Sequence, residues 1–481
     1  MAPTDRDAAV GTDPSQAFPS KYLPRPEVRD LPAPPPNQWR FIGPGIVAAG
    51  VGLASGEFIL FPYIASQVGL TFVWAALVGL VTQYFLNMEI ERYTLATGET
   101  ILTGFSRLWR HWGLVFAILA YFANIWPAWA TSSATLITYM FGGSVAVIAV
   151  IILVVVGLIL TLAPVVYTAL ERAQMLKVAA LLLLIVVGSI FAIGAAWRDV
   201  PQIVTQPRFP AGELGFAVLM GALAFAGAGG GQNLCQSNWI RDKGYGMGAR
   251  IPRLVSPITG EDEARPSTGY IFPQTEENLS RWRGWWKVAN WEQFVTFFAL
   301  GALSIILMSM IAYSTVFGQD NGENIDFFRN EGLALGETVG PWFEMFFYLV
   351  GALSLLAGAF GILDYVGRCI SDVLKSGYLA DSEFWTEAKL YFAAVWLLVA
   401  LNITILLAFS SQPLVLLFAQ SSISGVVMFV YCILLIQLNR RALPDAIKVR
   451  GGRLVAMIWA VLAFGVMSAL LVYSQIGDLF G

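Results

Sequence analysis

The chain's best candidates for chemistry are polar residues set among glycines inside apolar stretches: Ala54-Ser55-Gly56-Glu57 and Gly227-Ala228-Gly229-Gly230-Gly231-Gln232-Asn233. Carboxylate and amide oxygens are hard donors, and a glycine lets the backbone leave the helix and offer its carbonyl as well. Freed carbonyls of Ala54 and Gly227 join the side chains of Glu57, Gln232 and Asn233. Glu57 reads as the only carboxylate near the middle of a span, and burying it uncompensated is expensive. No lysine or arginine is expected inside the neighbouring spans, which leaves a bound cation or a proton as its partner. Glu57 also reads as a cap on the turn after a break, accepting backbone N–H groups.

Both groups interrupt stretches that are otherwise fit to cross a bilayer, residues 41–67 and 214–240, since a crossing needs roughly 20 apolar residues. Backbone left unpaired at that depth costs several kcal/mol unless protein or a wet cavity receives it. Two interrupted spans in corresponding places of two halves point to a transporter built from inverted repeats, with its site between the breaks. The glycines at 227 and 229–231 have a second reading as close helix packing without a break.

Composition sets the class. Hydrophobic residues make up 57% of the chain and charged ones 13%, about half the charged share of a soluble domain. This is a polytopic membrane protein. With 29 Lys+Arg against 32 Asp+Glu, nothing supports a nucleic-acid partner. Three cysteines inside or beside apolar spans argue against a disulfide framework, and the single His111 against a histidine metal site. No nucleophile with a base or metal triad stands out, so an enzyme is not expected and no cofactor is called for.

Residues 1–40 are polar and proline-rich, and read as a disordered tail without a cleaved signal. Eleven spans follow, counting the interrupted ones. Of the 29 basic residues, 26 fall in the tail or in the 2/3, 4/5, 6/7, 8/9 and 10/11 loops; the 4/5 loop is credited with two. The positive-inside rule then puts the N-terminus in the cytoplasm and the C-terminus outside a plasma membrane. The expected division is the tail, a first repeat over 41–200, a second over 201–440 with a loop at 241–289, and a last helix in 441–481. In that loop Glu261-Asp262-Glu263 reads as solvated surface. Trp282, Trp285, Trp286 and Trp291 read as an interfacial anchor. Asp364 and Arg368, four apart, are expected to pair.

Several short matches, in order along this topology, give the chain a family likeness. They are Ser66-Gln67-Val68-Gly69, Leu95-Ala96-Thr97-Gly98, Ala130-Thr131, Asn233-Leu234, Tyr365-Val366-Gly367 and Gln420. The chain resembles a divergent member of the natural resistance-associated macrophage protein (Nramp) family of divalent-metal transporters. The resemblance implies an all-α LeuT-type fold of two inverted five-helix repeats, about 11 transmembrane helices, with helices 1 and 6 broken. It also implies Gln420 as a site residue.

The departures are chemical. Where the family has Asp-Pro-Gly-Asn, this chain has Ala54-Ser55-Gly56-Glu57, and its Met-Pro-His becomes Gly230-Gly231-Gln232. The family's acidic pair on the third span falls at Ser132 and Thr135, and its later histidine at Ser237. The soft thioether and the proton relay are therefore missing. The expected substrate site is Ala54, Glu57, Gly227, Gly230, Gln232, Asn233 and Gln420, with Glu57 and Gln420 as ligands if the substrate is a metal ion. The expected function is alternating-access transport of a small cation, a hard divalent metal such as Mg²⁺ or Mn²⁺, without the family's proton coupling. Two alternatives stay open: a transporter of a small organic solute, an amine or amino acid, and a non-transporting membrane sensor.

Overall fold

The computed structural model describes residues 14–16, 18–36, 42–52, 54, 56–259, 268–319, 325–408 and 413–480. Among these, nine stretches are long and apolar enough to cross a membrane. One of them, Pro44–Thr97, turns back on itself and holds two crossings, while the sixth crossing is in pieces too short to count by length. The eleven expected crossings are therefore present, in the expected order.

Crossing 1 is Pro44–Gly52, then a π-helical turn Gly56–Leu60, then Phe61–Val68. Crossing 2 is Val73–Thr97, crossing 3 is Trp112–Ala123 plus Ala128–Phe141, crossing 4 is Val145–Leu162 and crossing 5 is Val166–Phe191. Crossing 6 is Phe216–Ala224 plus Gly230–Lys243. Crossing 7 runs from Glu276–Gln293 through a π turn at Phe294–Ala299 to Leu300–Val316. Crossings 8 to 11 are Pro341–Gly377, Glu387–Ala408, Pro413–Ala442 and Gly451–Phe480. Crossing 8 packs on 3, 4, 5 and 9, while 6 packs on 2 and 10, and crossing 1 lies between the two groups.

Crossing 5 begins earlier than the sequence pattern suggests. Pro164 cannot continue a helix, and the chain restarts at Val166. One of the two cations credited to the 4/5 loop, Lys177, thus lies inside the crossing and is buried.

The tail expected to be disordered is an extended strap over residues 18–36. Its strand Glu27–Val28 pairs in parallel with Tyr270–Ile271. Arg107, buried, donates to the Pro19 and Pro24 carbonyls (3.0 and 2.8 Å) and stacks on Phe18. Asn278 accepts from Leu31 N–H (3.0 Å), and Trp285 donates to the Pro32 carbonyl (2.9 Å). Proline-rich sequence looks disordered because it lacks a core of its own; here it borrows one. For the same reason Trp282 and Trp285 are buried under strap and loop and do not form a membrane-interface anchor. The triplet Glu261-Asp262-Glu263 lies outside the described residues.

On the face opposite the strap, a helix at Phe327–Thr338 lies over crossing 1. Phe328 stacks on Phe58 (5.1 Å between ring centres), Phe327 meets Tyr63 (5.8 Å), and Tyr348 donates to the Arg329 carbonyl (2.9 Å). Glu331 of this lid is buried with neither carboxylate oxygen hydrogen-bonded, and burial pushes its carboxyl up to about 8 from the ordinary 4.5. The native state therefore binds more protons than the unfolded state between those values, and stability falls as pH rises through that window. Hydrogen exchange of residues 325–340 is expected to quicken several-fold from about pH 5 to about pH 8 beyond the intrinsic rate. In Glu331→Gln that extra pH dependence should vanish.

Candidate functional site

The two broken crossings meet backbone to backbone. A side-chain carbon on Gly52 would strike the Gly227 carbonyl, and one on Gly56 would strike the Phe225 carbonyl. Gly229 and Gly230 hold φ of 71° and 54°, a conformation that side chains resist. The glycines thus serve both of the readings that sequence left open: a break and a close approach.

Crossing 8 presents a glycine face to crossing 1 in the same way. Carbons built on Gly351, Gly358 and Gly361 would meet Phe58, Ala54 and Val51 respectively.

All seven expected site residues are buried. Ala54 lies in the turn of crossing 1, its N–H reaching the Val51 carbonyl (3.4 Å) and its side chain against crossing 8. Gln232 donates to the Ala48 carbonyl (3.2 Å), tying the second half of crossing 6 to the first half of crossing 1. Gly230 packs on Ser424 of crossing 10. Gln420 accepts from the Trp129 indole (3.0 Å) and donates to Asn124, which also contacts Tyr365. Asn124 sits where crossing 3 is interrupted, so the polar residues of that span form a bonded hinge. Glu57 lies apart, its Oε1 beside Gly301 of crossing 7 and its Oε2 without a hydrogen-bond partner. Cys235 interacts with Cys369 of crossing 8.

Two residues that sequence reasoning missed organise the junction. Gln83 of crossing 2 donates to the Ala224 carbonyl (2.8 Å) and accepts from Gly229 N–H (3.1 Å) and Asn233 (3.4 Å). One amide thus satisfies both cut ends of crossing 6. Lys177 of crossing 5 donates to the Gly50 carbonyl, and its charge acts on Glu57. The premise that no basic residue lies near Glu57 is therefore wrong: crossing 5 supplies one. Both were visible as polar residues within apolar spans, a sign of function.

Each membrane face is closed over this junction. The lid at Phe327–Thr338 covers one. On the strap's face, Arg241 pairs with Asp372 (2.7 Å) and Glu387 (3.1 Å), and Arg368 with Asp242 (2.6 Å) and Asp364 (2.8 Å), as expected for the last. Asp364 also accepts from Trp239 (3.0 Å) and Tyr391 (2.9 Å). Outside the spans, Glu99 is held below the ordinary carboxylate range despite burial, by Arg107 and by hydrogen bonds from Tyr93 and Gly269 N–H. The start of crossing 1 is held by Glu292 of crossing 7, whose Oε1 accepts from Gly43 and Gly45 N–H (3.1 and 2.9 Å). That carboxylate caps a helix start from another crossing.

No protein-family profile and no curated protein matches the chain in sequence. Solved structures match it in shape. A mutant of the Eremococcus coleocola manganese transporter superposes with a TM-score of 0.70 at 12% identity, over 95% of this chain and 91% of that one. The same transporter in complex with an aromatic bis-isothiourea substituted compound gives 0.65 at 13% identity, over 96% and 92%. MhsT in complex with L-phenylalanine gives 0.55 at 14% identity, over 89% and 98%. The fold is the LeuT type. In this LeuT-type chain the paired breaks sit at crossings 1 and 6, as expected, and among the described residues no group of three or more His, Cys, Asp or Glu forms a metal cluster.

The backbone crossing gives two expected outcomes. Gly56→Ala should lower stability by roughly 1–3 kcal/mol, through overpacking against Phe225, read as a fall in Tm. Gln83→Leu removes the amide while keeping the volume and leaves a carbonyl and an N–H unpaired, at a cost of about 1–3 kcal/mol by the same measurement.

Proposed function

We propose that the chain is a secondary transporter that carries a small organic solute, of the amine or amino-acid class, by alternating access. The observation that carries the reading is the junction of two broken helices, buried at mid-membrane and closed toward both faces. On opening, the helix ends at this junction, released from Gln83 and Lys177, are the groups that would hold a solute's charges: carbonyl ends of Pro44–Gly52 and Phe216–Ala224 suit an ammonium, and the start of Gly230–Lys243 suits a carboxylate. Opening the strap face means parting the Arg241 and Arg368 pairs; opening the other means lifting the lid from Phe58. A LeuT-type neighbour solved with L-phenylalanine agrees with this solute class.

The shift from a cation to an organic solute rests on Lys177. A basic side chain supplied by the chain within reach of Glu57 removes the argument that only a bound cation or a proton can meet that acid. Gln420, Gln232 and Asn233 each spend an amide group on a protein partner.

A second reading, a hard divalent cation such as Mg²⁺ or Mn²⁺ with Glu57 and Gln420 as ligands, is favoured by one observation: Glu57 Oε2 is buried and unpartnered. A neighbouring fold that belongs to a manganese transporter agrees with it. We place the protein in a plasma membrane with the strap face in the cytoplasm and the C-terminus outside, a reading supported by the 25 basic residues assigned to that side once Lys177 is placed inside crossing 5.

Proteoliposome uptake separates the readings. Saturable uptake from a panel of radiolabelled amino acids and amines, with Mn²⁺ uptake at background, is the expected result. Saturable Mn²⁺ uptake that falls at least about tenfold in Glu57→Gln would replace it with the cation reading. Background uptake of both classes would leave a non-transporting sensor.

A further inference from the structure

Of the four tryptophans at the start of crossing 7, Trp282 and Trp285 go under the strap and loop, whereas Trp286 and Trp291 line an open groove of about 630 Å³. Tyr84 of crossing 2 and Arg283, Lys287, Asn290 and Phe294 of crossing 7 complete its lining. Positions 283, 287, 291 and 294 recur at helical spacing and so share one face of crossing 7. Read from the strap end inward, that face is cation, cation, indole, phenyl. It extends roughly 16 Å at about 1.5 Å per residue, enough to pass from the charged headgroup level to the first acyl carbons.

The positive charge is left over from the protein's own pairing. No carboxylate lines the groove. Among the described residues Lys287 has no ion pair, and Arg283 meets only Glu276 (2.6 Å), an exposed contact of the kind that contributes little. The back wall, in contrast, is fixed. Asn290 accepts from the Tyr84 hydroxyl (3.3 Å) and from Arg453 of crossing 11, and donates to the Trp286 carbonyl (2.6 Å). Arg92 and Arg453 lie over the Trp286 ring, 4.2 and 4.7 Å from its centre. Crossings 2, 7 and 11 thus present a slot that needs little ordering on binding. A second outward groove, between crossings 3, 8 and 9, is lined by Ile118, Phe122, Leu374, Trp385 and Leu397 and holds no cation. That one takes any acyl chain and specifies no lipid.

We propose that the groove is a binding site for an anionic phospholipid of the leaflet on the strap face. Arg283 and Lys287 take its charged headgroup, Trp286 and Trp291 lie at the glycerol-ester level, and Phe294 meets the start of an acyl chain. The opposite face of the same helix carries Glu292, on which the start of crossing 1 is capped. A lipid seated here holds crossing 7 against 2 and 11, and so steadies that cap, whatever solute the protein carries.

Thermal unfolding of the purified full chain in detergent micelles tests this without knowledge of the solute. The micelles are titrated with phosphatidylglycerol or with phosphatidylcholine of the same acyl chains. Phosphatidylglycerol should raise the native midpoint saturably, by at least about 3 °C more than phosphatidylcholine does, because a ligand of the folded state stabilises it. In the double variant Arg283→Gln/Lys287→Gln that difference should shrink to under about 1 °C. Both side chains are exposed, so the variant keeps the fold. Arg440→Gln/Arg441→Gln, which removes two exposed cations at the strap end of crossing 10, should keep the full difference. Glycerol phosphate, a headgroup without chains, should give no shift. Equal midpoints in the two lipids overturn the proposal, as does a full difference in Arg283→Gln/Lys287→Gln. An equal loss in Arg440→Gln/Arg441→Gln reduces the effect to general surface charge and overturns it too, and so does a shift by glycerol phosphate that matches the lipid's.

Discussion

Two polypeptide backbones touching at mid-membrane, Gly52 on Gly227 and Gly56 on the Phe225 carbonyl, set the terms for the rest of the molecule. Contact this close excludes side chains, so the groups freed by the breaks must be satisfied from elsewhere. Neighbours supply them: Gln83 from crossing 2 meets both cut ends of crossing 6, Lys177 from crossing 5 meets the Gly50 carbonyl, and Gln232 of crossing 6 adds a bond to Ala48, while Glu292 caps the far start of crossing 1. Water cannot serve freely at that depth, and unmet backbone groups are costly there. Buried polar residues thus serve the cut helices, as others serve the ion pairs of the strap face.

The breaks were legible because glycine clusters inside apolar stretches have few other uses, and the order of crossings followed from hydropathy alone. Partners were not legible. Gln83 and Lys177 are among several polar residues in their spans, and nothing in local sequence says which distant carbonyl each will meet. Lys177 was also miscounted: a fifth span read from residue 173 already contains it, yet it was credited to the loop, and the start at Val166 places it deeper still. Gln420 was found through resemblance, but its bonds to Trp129 and Asn124 depend on three crossings at once. The strap failed for a related reason, since its order comes from the loop, Arg107 and Trp285 rather than from its own residues.

The two faces are closed by different materials. Aromatic stacking over Phe58 seals one, where separation exposes apolar rings to water. Buried ion pairs around Arg241 and Arg368 seal the other, where separation leaves charges that water receives well. Opening toward the strap is therefore a matter of hydrating charges in concert, while opening toward the lid exposes hydrocarbon.

The glycine face of crossing 8 bears on how such motion is possible at all. Ordinary helix pairs interlock, ridge in groove, and rotate only by lifting side chains past one another. Val51, Ala54 and Phe58 rest instead on positions that have no side chain, at Gly361, Gly358 and Gly351. In the proposed transport cycle crossing 8 would offer no side chain at these three places to obstruct a tilt of crossing 1, while Trp129 and Leu136 of crossing 3 pack against two of them. The smoothness that lets the helix sit so close also makes crossing 8 a bearing on which it can turn.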